Sequence, residues 1–391
     1  MELLSQLFTG MEALTWRELV MYAVGLVLIW LAVKKDYEPM LLLPIGFGAI
    51  LVNLPFATAW STVHAGVESA GFLKTFYDAG IITELFPILI FIGVGAMVDF
   101  TPLLKMPKML FFGAAAQFGI FFTVLVALVL GHYFPHLNIT LEVAASIGVI
   151  GTADGPTSIV VAQRFAKEYM GPIMVAAYSY MSLVPIIQPP VIKALTTKKE
   201  RLIRMDYKEN SISKLALVTF PIAVTILAGV LAPESASLVG SLMFGNLIRE
   251  CGVLERLSKT AQNELANLVT LVLGITIGST MKAQAFLQGQ TMLILALGLV
   301  AFIFDTAGGV LFAKLLNVFS KEKVNPMIGA AGISAFPMSS RIVQRMAKDE
   351  DPTNFILMQA VSANVSGQVG SVIAGGMILH LVPLLNEMLI K

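Results

Sequence analysis

The sequence predicts an all-α polytopic membrane protein with two inverted repeats, each of about five crossings plus a broken or re-entrant helix pair, the pairs meeting at the midplane. Composition is the first observation that predicts this fold. The 391 residues are 57% hydrophobic and 13% charged, with a mean hydropathy of +0.81, whereas soluble domains carry about 25% charged residues. The other observations are recurring apolar stretches and a motif that occurs once in each half.

Apolar stretches occur throughout the chain at lengths that suit a membrane. A spanning helix needs about 20 mostly apolar residues. Two further apolar stretches, 143–163 and 326–344, are interrupted by polar and helix-breaking residues, and whether they cross or re-enter is open at this point. Gly375-Gly376 predicts a kink or a division in the last span. The ten predicted spans are 19–33, 40–56, 83–100, 109–131, 170–192, 213–232, 236–248, 264–281, 291–313 and 353–388.

A repeated motif divides the chain into halves. "IGVIGTADGPTSIVVAQRFAKE" (147–168) and "IGAAGISAFPMSSRIVQRMAKD" (328–349) align with a shift of 181 residues. Upstream, "GFGAIL" (46–51) resembles "MFGNLI" (243–248). The predicted units are an N-terminal segment 1–18, a transmembrane repeat 19–196, a basic cytoplasmic linker 197–212 and a second repeat 213–391.

The distribution of basic residues predicts the orientation of the two halves. With five crossings and one re-entrant segment per half, the halves run in opposite directions. If residues 34–35 face the cytoplasm, 20 of the 26 Lys and Arg residues lie on that side. This is the bias that cytoplasmic loops show. Full crossing by the motif segments makes the halves parallel and weakens the bias, so we favour inverted repeats.

Both motifs contain residues that break helices inside an apolar stretch. Non-helical backbone is tolerated at membrane depth only where it is buried in protein or lines a wet cavity. In transporters with inverted repeats, such discontinuous helices form the ion site near the midplane. Their free carbonyl oxygens are hard ligands that suit alkali cations. The predicted breakers are Gly151, Gly155 and Pro156 in the first half, and Gly329, Gly332 and Pro337 in the second.

Asp154 is the strongest candidate for a functional residue. An acid at the centre of a bilayer costs about 2.5–3.5 kcal/mol on insertion scales and usually marks an ion or proton path. The alternative is a carboxylate that caps the half-helix beginning near Pro156, and the two roles are compatible. The repeat counterpart of Asp154 is Ala335, so the repeated scaffold does not itself require an acid.

Other polar residues differ between the two halves and have structural alternatives. Thr152 and Ser334 suit either an ion site or bonds to nearby carbonyls, and Arg341 suits either a site or an anchor at the membrane interface. The polar residues near Tyr178, Tyr180 and Asn364 suit either an oxygen cage or close helix packing. Asp305 is a second intramembrane acid, either functional or an interhelical hydrogen-bond partner.

Several classes of function are unsupported. A net charge of +1 does not suggest a nucleic-acid partner, and one cysteine excludes an internal disulfide framework. No G-x-x-x-x-G-K motif for an ATP-driven pump, no transition-metal spacing and no cleavable signal sequence are found. From these residues alone, a stand-alone Na⁺/H⁺ antiporter or Na⁺-coupled organic-anion transporter fits well.

Four motifs together resemble the beta subunit of sodium-pumping, biotin-dependent decarboxylases, which act on oxaloacetate, methylmalonyl-CoA or glutaconyl-CoA. The motifs are "GTADGPTSI", "AYSYMSLVPIIQPP", "NPMIGAAGISAFPMSSR" and "ANVSGQVGSVIAGG". The resemblance covers essentially the whole chain. It implies a subunit of a bacterial plasma-membrane enzyme complex that decarboxylates carboxybiotin and exports Na⁺.

The resemblance also implies roles for particular residues. It implies catalytic roles for Asp154, Tyr180 and Arg341. The predicted Na⁺ contacts are Asp154, Thr152, Asn325, Ser334 and Asn364. Thr152 is selected from its place in the first motif, and the others, with Gly329 in the "NPMIG" stretch, come from the resemblance. Arg341 is expected to receive the carboxylate of carboxybiotin, and Tyr180 or Asp154 the proton that decarboxylation consumes. The implied partners are a carboxyltransferase alpha subunit, a biotin carrier, a small gamma or delta membrane subunit and further copies of this chain.

Overall fold

The computed structural model of the protein describes residues 9–64, 67–206 and 211–390. The predicted N-terminal segment 1–18 therefore falls partly outside the described residues, as do four residues of the predicted linker and the C-terminal lysine. Within the described ranges the chain is mostly helical, as the composition predicts.

From Trp16 onward, the described part of the first half contains ten α-helices. Helix α1 begins with a capping box, in which Thr15 and Glu18 satisfy each other's backbone N–H groups, and it ends beside two lysines at a left-handed residue, Asp36. The helices are α1 (Trp16–Lys35), α2 (Pro39–Val52), α3 (Phe72–Phe76), α4 (Leu85–Met97), α5 (Thr101–Lys105), α6 (Leu110–Ala116), α7 (Phe118–Tyr133), α8 (Leu141–Gly148), α9 (Gly155–Phe165) and α10 (Met170–Leu195).

The second half has a similar series, preceded by a short helix in the linker. A π-helical turn (Ala261–Leu265) joins two of its helices, as another (Tyr77–Ile81) extends α3. The helices are α11 (Lys198–Arg201), α12 (Lys214–Leu231), α13 (Ala236–Glu250), α14 (Glu255–Thr260), α15 (Ala266–Ser279), α16 (Ala283–Phe286), α17 (Gly289–Phe319), α18 (Met327–Ala330), α19 (Met338–Glu350) and α20 (Leu357–Ile390).

Helices occur at all ten predicted spans, but fewer have the length of a full crossing. By length and composition, five described helical stretches can cross a membrane, and a sixth is added if a bent pair counts as one span. The bend of 66° joins residues 72–81 to α4. The five stretches are Trp16–Lys35, Pro107–Tyr133, Lys167–Leu195, Gly289–Phe319 and Leu357–Met388.

Two local features differ from the sequence prediction. An antiparallel hairpin of strands β1 (Ser61–His64) and β2 (Val67–Ala70) follows α2, and nothing in the hydropathy predicts it. The predicted division at Gly375-Gly376 is wrong, because α20 is continuous there. A Cβ at Gly376 would lie 2.1 Å from Ser235 Cβ, so this glycine permits close packing and is not a break.

The helices pack into two bundles. The first bundle consists of α1, α2, α4, α12, α13 and α15, and the second consists of α6 to α10 and α17 to α20. In the first bundle, helices of one half cross helices of the other half closely, and each half contributes one glycine to such a crossing. A Cβ on Gly48 of α2 would lie 2.3 Å from Ile275 O of α15, and a Cβ on Gly245 of α13 would lie 2.0 Å from Ile92 O of α4. Gly48 and Gly245 occupy the same position in the repeated "GFGAIL" and "MFGNLI" segments.

Both motif segments fold as hairpins that leave on the side from which they enter. At the first hairpin, Glu142 near its start and Glu168 after its end line one surface cavity of about 470 Å³, together with Asn386. At the second hairpin, Asn325 at the start and Asn354 after the end both donate to the carbonyl oxygens of Arg201 and Ile203.

The two hairpins open at opposite ends of α20. Asn354 of the second hairpin precedes the first turn of α20, and Asn386, which contacts Glu142 of the first, lies near the last. The tips of the hairpins, in contrast, meet. Their positions place the interrupted segments in the interior of the second bundle, where the predicted site residues are concentrated.

Candidate functional site

The site forms where the two interrupted segments touch. In the first hairpin, α8 continues as a 3₁₀ turn (Val149–Thr152), and a left-handed Ala153 then redirects the chain into α9. In the second, α18 ends before a non-helical stretch that reaches Pro337, and the Phe336–Pro337 peptide bond is cis. The backbone N–H of Ser334 donates to Thr152 O at 3.1 Å. One backbone hydrogen bond therefore joins the unwound parts of the two halves.

Asp154 lies at this junction and is 4% exposed. It is the N-cap of α9 and accepts a long 3.4 Å hydrogen bond from the Thr157 N–H. Its other carboxylate oxygen accepts from the Thr157 hydroxyl at 2.8 Å and from the Ser371 hydroxyl at 2.7 Å. Asp154 therefore has the capping role that the sequence left open, and its role at an ion site stays a prediction.

The groups around Asp154 supply hydrogen bonds but no positive charge. Among the described residues, no lysine, arginine or histidine forms an ion pair with Asp154. A buried carboxylate without a charged partner is costly, and hydroxyl donors offset only part of that cost. A cation or a proton is needed to neutralise it, which is the behaviour expected of an exchangeable ion site.

Helix α20 presents polar side chains along the second unwound segment. The Asn364 amide donates to Ile333 O at 2.7 Å, and the Gln368 amide donates to Ser334 O. One helical turn further, the Ser371 hydroxyl lies 2.7 Å from Asp154 Oδ2 and 3.1 Å from Ser334 Oγ. The spacing of four and three residues places these side chains on one face. The buried Asn364 Oδ1 has no hydrogen-bond partner among the described residues, so this oxygen is free to bind a ligand.

A cavity of about 210 Å³ reaches Asp154 from between the two bundles. On the second bundle its lining includes Asp154, Ser334 and Gln368, and on the first bundle it includes Asn267 and Thr270 of α15. The polar groups lining it are oxygen and amide groups, together with apolar walls. Oxygen ligands without thiolate or imidazole suit hard cations such as Na⁺. Within the described ranges, no cluster of three or more His, Cys, Asp or Glu residues could hold a transition metal.

The two tyrosines of the "YSYMS" motif have different surroundings. Tyr178 lines the Asp154 cavity, and its buried hydroxyl has no hydrogen-bond partner in the described part of the chain. A Cβ on Gly155 would lie 2.2 Å from Tyr178 Cζ, so the predicted breaker Gly155 leaves the space that this ring fills. Tyr180, the tyrosine that the resemblance implies, donates its hydroxyl to Leu295 O of α17. The structure does not bring the Tyr180 hydroxyl to Asp154.

Two further predicted residues lie away from Asp154. The Asn325 amide donates at 2.9 Å to both Arg201 O and Ile203 O, and its oxygen accepts from the Met327 N–H at 3.1 Å. Its polar atoms are therefore engaged in holding the linker. Arg341 is exposed in the first turns of α19 and forms no ion pair among the described residues.

The remaining predicted residues have backbone or packing roles at the junction. The Thr152 hydroxyl donates to Val149 O at 2.8 Å and accepts from the Asp154 N–H, while its carbonyl joins the second hairpin. A Cβ on Gly329 would lie 1.9 Å from Gly309 O of α17, which explains why this position carries glycine. Pro156 is in the first turn of α9. Gly151 and Gly332 pack closely against Ala301 of α17 and Phe112 of α6, respectively.

Sequence reasoning did not select Thr157 or Ser371. Thr157 follows Asp154 by three residues, the spacing from which an N3 residue reaches its N-cap. Ser371 follows Asn364 by seven residues, two turns along the same helical face. Both signals are present, but serines and threonines are common in membrane helices, where they bond to their own backbone. Only the contact with the other half distinguishes Ser371.

Comparison with known proteins provides an independent line of evidence. A profile of the family described as the Na⁺-transporting oxaloacetate decarboxylase beta subunit matches residues 17–382. The chain is 48% identical over 389 residues to the methylmalonyl-CoA decarboxylase subunit beta of Propionigenium modestum, covering 95% of this chain and 97% of the relative. It is 46% identical over 421 residues to the oxaloacetate decarboxylase beta chain of Klebsiella pneumoniae, with coverages of 95% and 97%. Identity to the glutaconyl-CoA decarboxylase subunit beta of Acidaminococcus fermentans is 48% over 374 residues, with 96% of each covered.

Proposed function

Because the chain belongs to the family of beta subunits of Na⁺-transporting decarboxylases, we propose that it binds the transported Na⁺ at Asp154, where the two hairpins meet. The chain is the membrane subunit of a decarboxylase coupled to Na⁺ translocation. The observation that carries the site assignment is the buried carboxylate, which contacts hydroxyls of both halves and no positively charged side chain.

The proposed Na⁺ ligands are oxygens from both hairpins and from α20. Asp154 supplies the negative charge, and Ser334 and Ser371 supply hydroxyl oxygens within 3.1 Å of each other. The proposed set is completed by the free Oδ1 of Asn364, whose amide donates to Ile333 O beside Ser334, and by the Thr152 carbonyl oxygen, which accepts from the Ser334 N–H. Asn325, whose polar atoms are all bonded to backbone groups, acts on the site by fixing the second hairpin.

Decarboxylation is proposed to take place at the mouth of the Asp154 cavity, with carboxybiotin delivered by a partner chain. Arg341 receives the carboxylate, the bond between the biotin nitrogen and the carboxyl carbon breaks, CO₂ leaves, and the nitrogen takes up a proton. Asp154 and Tyr180 are the proposed proton donors. The Tyr180 hydroxyl must then release Leu295 O, whereas Tyr178 already lines the cavity.

The relatives differ in the acid or CoA ester that their names print, while the sequences remain 46–48% identical to this chain. We therefore assign the choice of substrate to a separate carboxyltransferase alpha subunit. A biotin carrier and a small gamma or delta membrane subunit complete the proposed complex, together with further copies of this chain. Its proposed location is the bacterial plasma membrane.

The opposed hairpins and the reciprocal glycine crossings support the inverted-repeat arrangement. In such transporters one bundle moves against the other around a site near the midplane. The cavity between the two bundles is where such a movement would change access to Asp154. Moving one charge against 100 mV costs about 2.3 kcal/mol, so decarboxylation must drive the change of access.

The test is an Asp154→Asn variant in the reconstituted complex. We expect loss of both Na⁺ uptake and Na⁺-dependent decarboxylation, because the amide keeps the shape and removes the charge. The control is Asp78→Asn, an exposed acid paired with Lys74, which should retain wild-type rates of both. Normal coupling in Asp154→Asn would refute the assignment.

A further inference from the structure

The Asp154 cavity has a second acidic residue in its lining. Glu38 lies on the first bundle, between α1 and α2, and lines the same cavity as Asp154 on the second. No lysine, arginine or histidine is among the residues that line this cavity. Glu38 is half-buried and its neighbour Met40 in the lining is 49% exposed, whereas Asp154 is 4% exposed, so Glu38 lies on the more open side of the cavity.

The backbone places Glu38 in an unusual conformation for a residue with a side chain. Its φ of 36° lies in the left-handed region, which is rare for residues other than glycine, and such strain is concentrated at functional sites. Glu38 is the N-cap of α2, yet its side chain makes no capping hydrogen bond. The half-buried carboxylate is therefore not required to begin the helix.

Arg341 of the second bundle interacts electrostatically with Glu38 across the space between the bundles. Burial raises the pKa of Glu38, Arg341 lowers it, and Asp36 raises it again. The two side chains are not in direct contact, because no ion pair within 4.0 Å joins them. Glu38 thus compensates the charge of Arg341 and keeps its oxygens free of a fixed bond.

We propose that Glu38 is an entrance site for Na⁺, which receives the ion at the mouth of the cavity before it reaches Asp154. This proposal rests on the proposed function of Asp154 and Arg341. Without a carboxylate at this position, the Arg341 guanidinium would repel Na⁺ from the mouth of the cavity. With Glu38 present, the pair is close to neutral, and a cation can approach.

The same arrangement links the arrival of the substrate to the entry of the ion. When a carboxylate binds Arg341, it replaces Glu38 as the counter-charge. The negative charge of Glu38 is then uncompensated and attracts Na⁺ more strongly. Substrate binding and Na⁺ entry therefore favour each other, and by linkage the effect is reciprocal.

The test is the Na⁺ dependence of decarboxylation by the complete complex carrying Glu38→Gln. We expect the half-saturating Na⁺ concentration to rise roughly five- to twentyfold, because the variant removes an attractive charge from the path of the ion. The rate at saturating Na⁺ should stay within about twofold of wild type, because Asp154 is intact. Raising the substrate concentration should lower the half-saturating Na⁺ concentration of the wild type and not that of the variant.

Two control variants separate this role from others. Asp36→Asn removes the same charge from the same loop at an exposed position outside the cavity lining and should leave the Na⁺ dependence unchanged. Glu38→Asp should restore most of the Na⁺ affinity. A Glu38→Gln complex with wild-type Na⁺ dependence, or an equal shift in Asp36→Asn, would overturn the entrance site. The proposed function of Asp154 is refuted by a different result, which is normal coupling in Asp154→Asn.

Discussion

The Ser371 hydroxyl occupies the position from which a single group contacts both halves of the site. It lies 2.7 Å from Asp154 Oδ2 in the first hairpin and 3.1 Å from Ser334 Oγ in the second. Within its own helix it can also donate to Gln368 O, 3.1 Å away. A hydroxyl has one proton and two lone pairs, so binding of Na⁺ can turn its oxygen toward the ion and its proton toward the Gln368 carbonyl.

Replacing Ser371 by alanine should weaken Na⁺ binding without abolishing it. Hydrogen bonds to a charged group contribute about 1.5–3 kcal/mol, and water can replace part of this in a cavity. We therefore expect the half-saturating Na⁺ concentration for decarboxylation to rise about tenfold. The matched control is Ser362→Ala on the same helix, where the hydroxyl donates to Pro102 O and not to the site. Equal Na⁺ dependence in the two variants would contradict the role of Ser371.

At the residue scale, a sequence indicates a candidate site most clearly where a single position carries an unusual free-energy cost. An acid, glycines and prolines inside an apolar stretch are unfavourable unless they serve a purpose, so Asp154 and its neighbouring breakers are visible in the sequence. Ser371 and Thr157 carry no such cost. Thr157 bonds to Asp154 within its own hairpin, while the contribution of Ser371 depends on which residues of the first hairpin it contacts, and one sequence does not specify that contact. The sequence also gives no reason to select Glu38, because an acid between two predicted helices is usually exposed to solvent.

Among the elements, the linker is attached to the end of the second hairpin. The Arg201 side chain donates to Glu350 Oε1 at 2.6 Å and to Thr196 O at 2.6 Å, while its carbonyl accepts from Asn325. Hydrogen bonds from Thr353 and then Arg204 lower the pKa of Asp351 to about 2. The folded-state pKa is depressed, so this attachment is fully present above about pH 4 and is lost as the pH falls through about 2.

Replacing Glu350 by glutamine should loosen the linker at neutral pH. The pair with Arg201 is partly buried, and losing about 1 kcal/mol of attachment increases local opening roughly fivefold. Limited trypsin digestion of the purified complex should therefore cut between residues 198 and 206 about five times faster. Asp349→Asn is the control, since this neighbouring exposed acid forms no ion pair in the described part of the chain. Unchanged cleavage in the Glu350 variant would show that other contacts hold the linker.

Element positions were more predictable than element lengths. Hydropathy identifies the apolar stretches of the chain, and each span predicted in this way contains a helix. It does not show where a helix ends, and α2 and α4 are only 14 and 13 residues long. The β1–β2 hairpin has no apolar periodicity to reveal it. In α20, hydropathy and glycine content suggested a division, whereas tight packing against Ser235 is the reason for Gly376.

At the scale of the whole molecule, the site depends on two hairpins that enter from opposite ends of one long helix. Glu142 and Glu168 share a cavity with Asn386 at one end of α20, and Asn325 and Asn354 share the linker at the other. Because the tips meet at Thr152 and Ser334, each hairpin separates the junction from one side of the molecule. The motif repeat and the charge bias predict that the two halves are inverted across the membrane, and this stays a prediction. The sequence also predicts that the interrupted segments meet, but not which groups touch, because the bond from the Ser334 N–H to Thr152 O depends on how the bundles pack.

The opposition of the hairpins can be tested in cells, because the chain contains one cysteine. In a Cys251→Ser background, a cysteine is placed at Glu168 after the first hairpin or at Asp349 near the end of the second; both positions are exposed. A membrane-impermeant maleimide should label Glu168→Cys in intact cells and Asp349→Cys only after permeabilisation. Asn138→Cys precedes the first hairpin and should be labelled like Glu168→Cys. Glu322→Cys precedes the second hairpin and should be labelled like Asp349→Cys. Re-entry then requires both members of a pair to react from one side, and inversion requires the two pairs to react from different sides. Labelling of all four positions from the same side would exclude inversion, and with it a site that two opposed hairpins expose to the two faces of the membrane in turn.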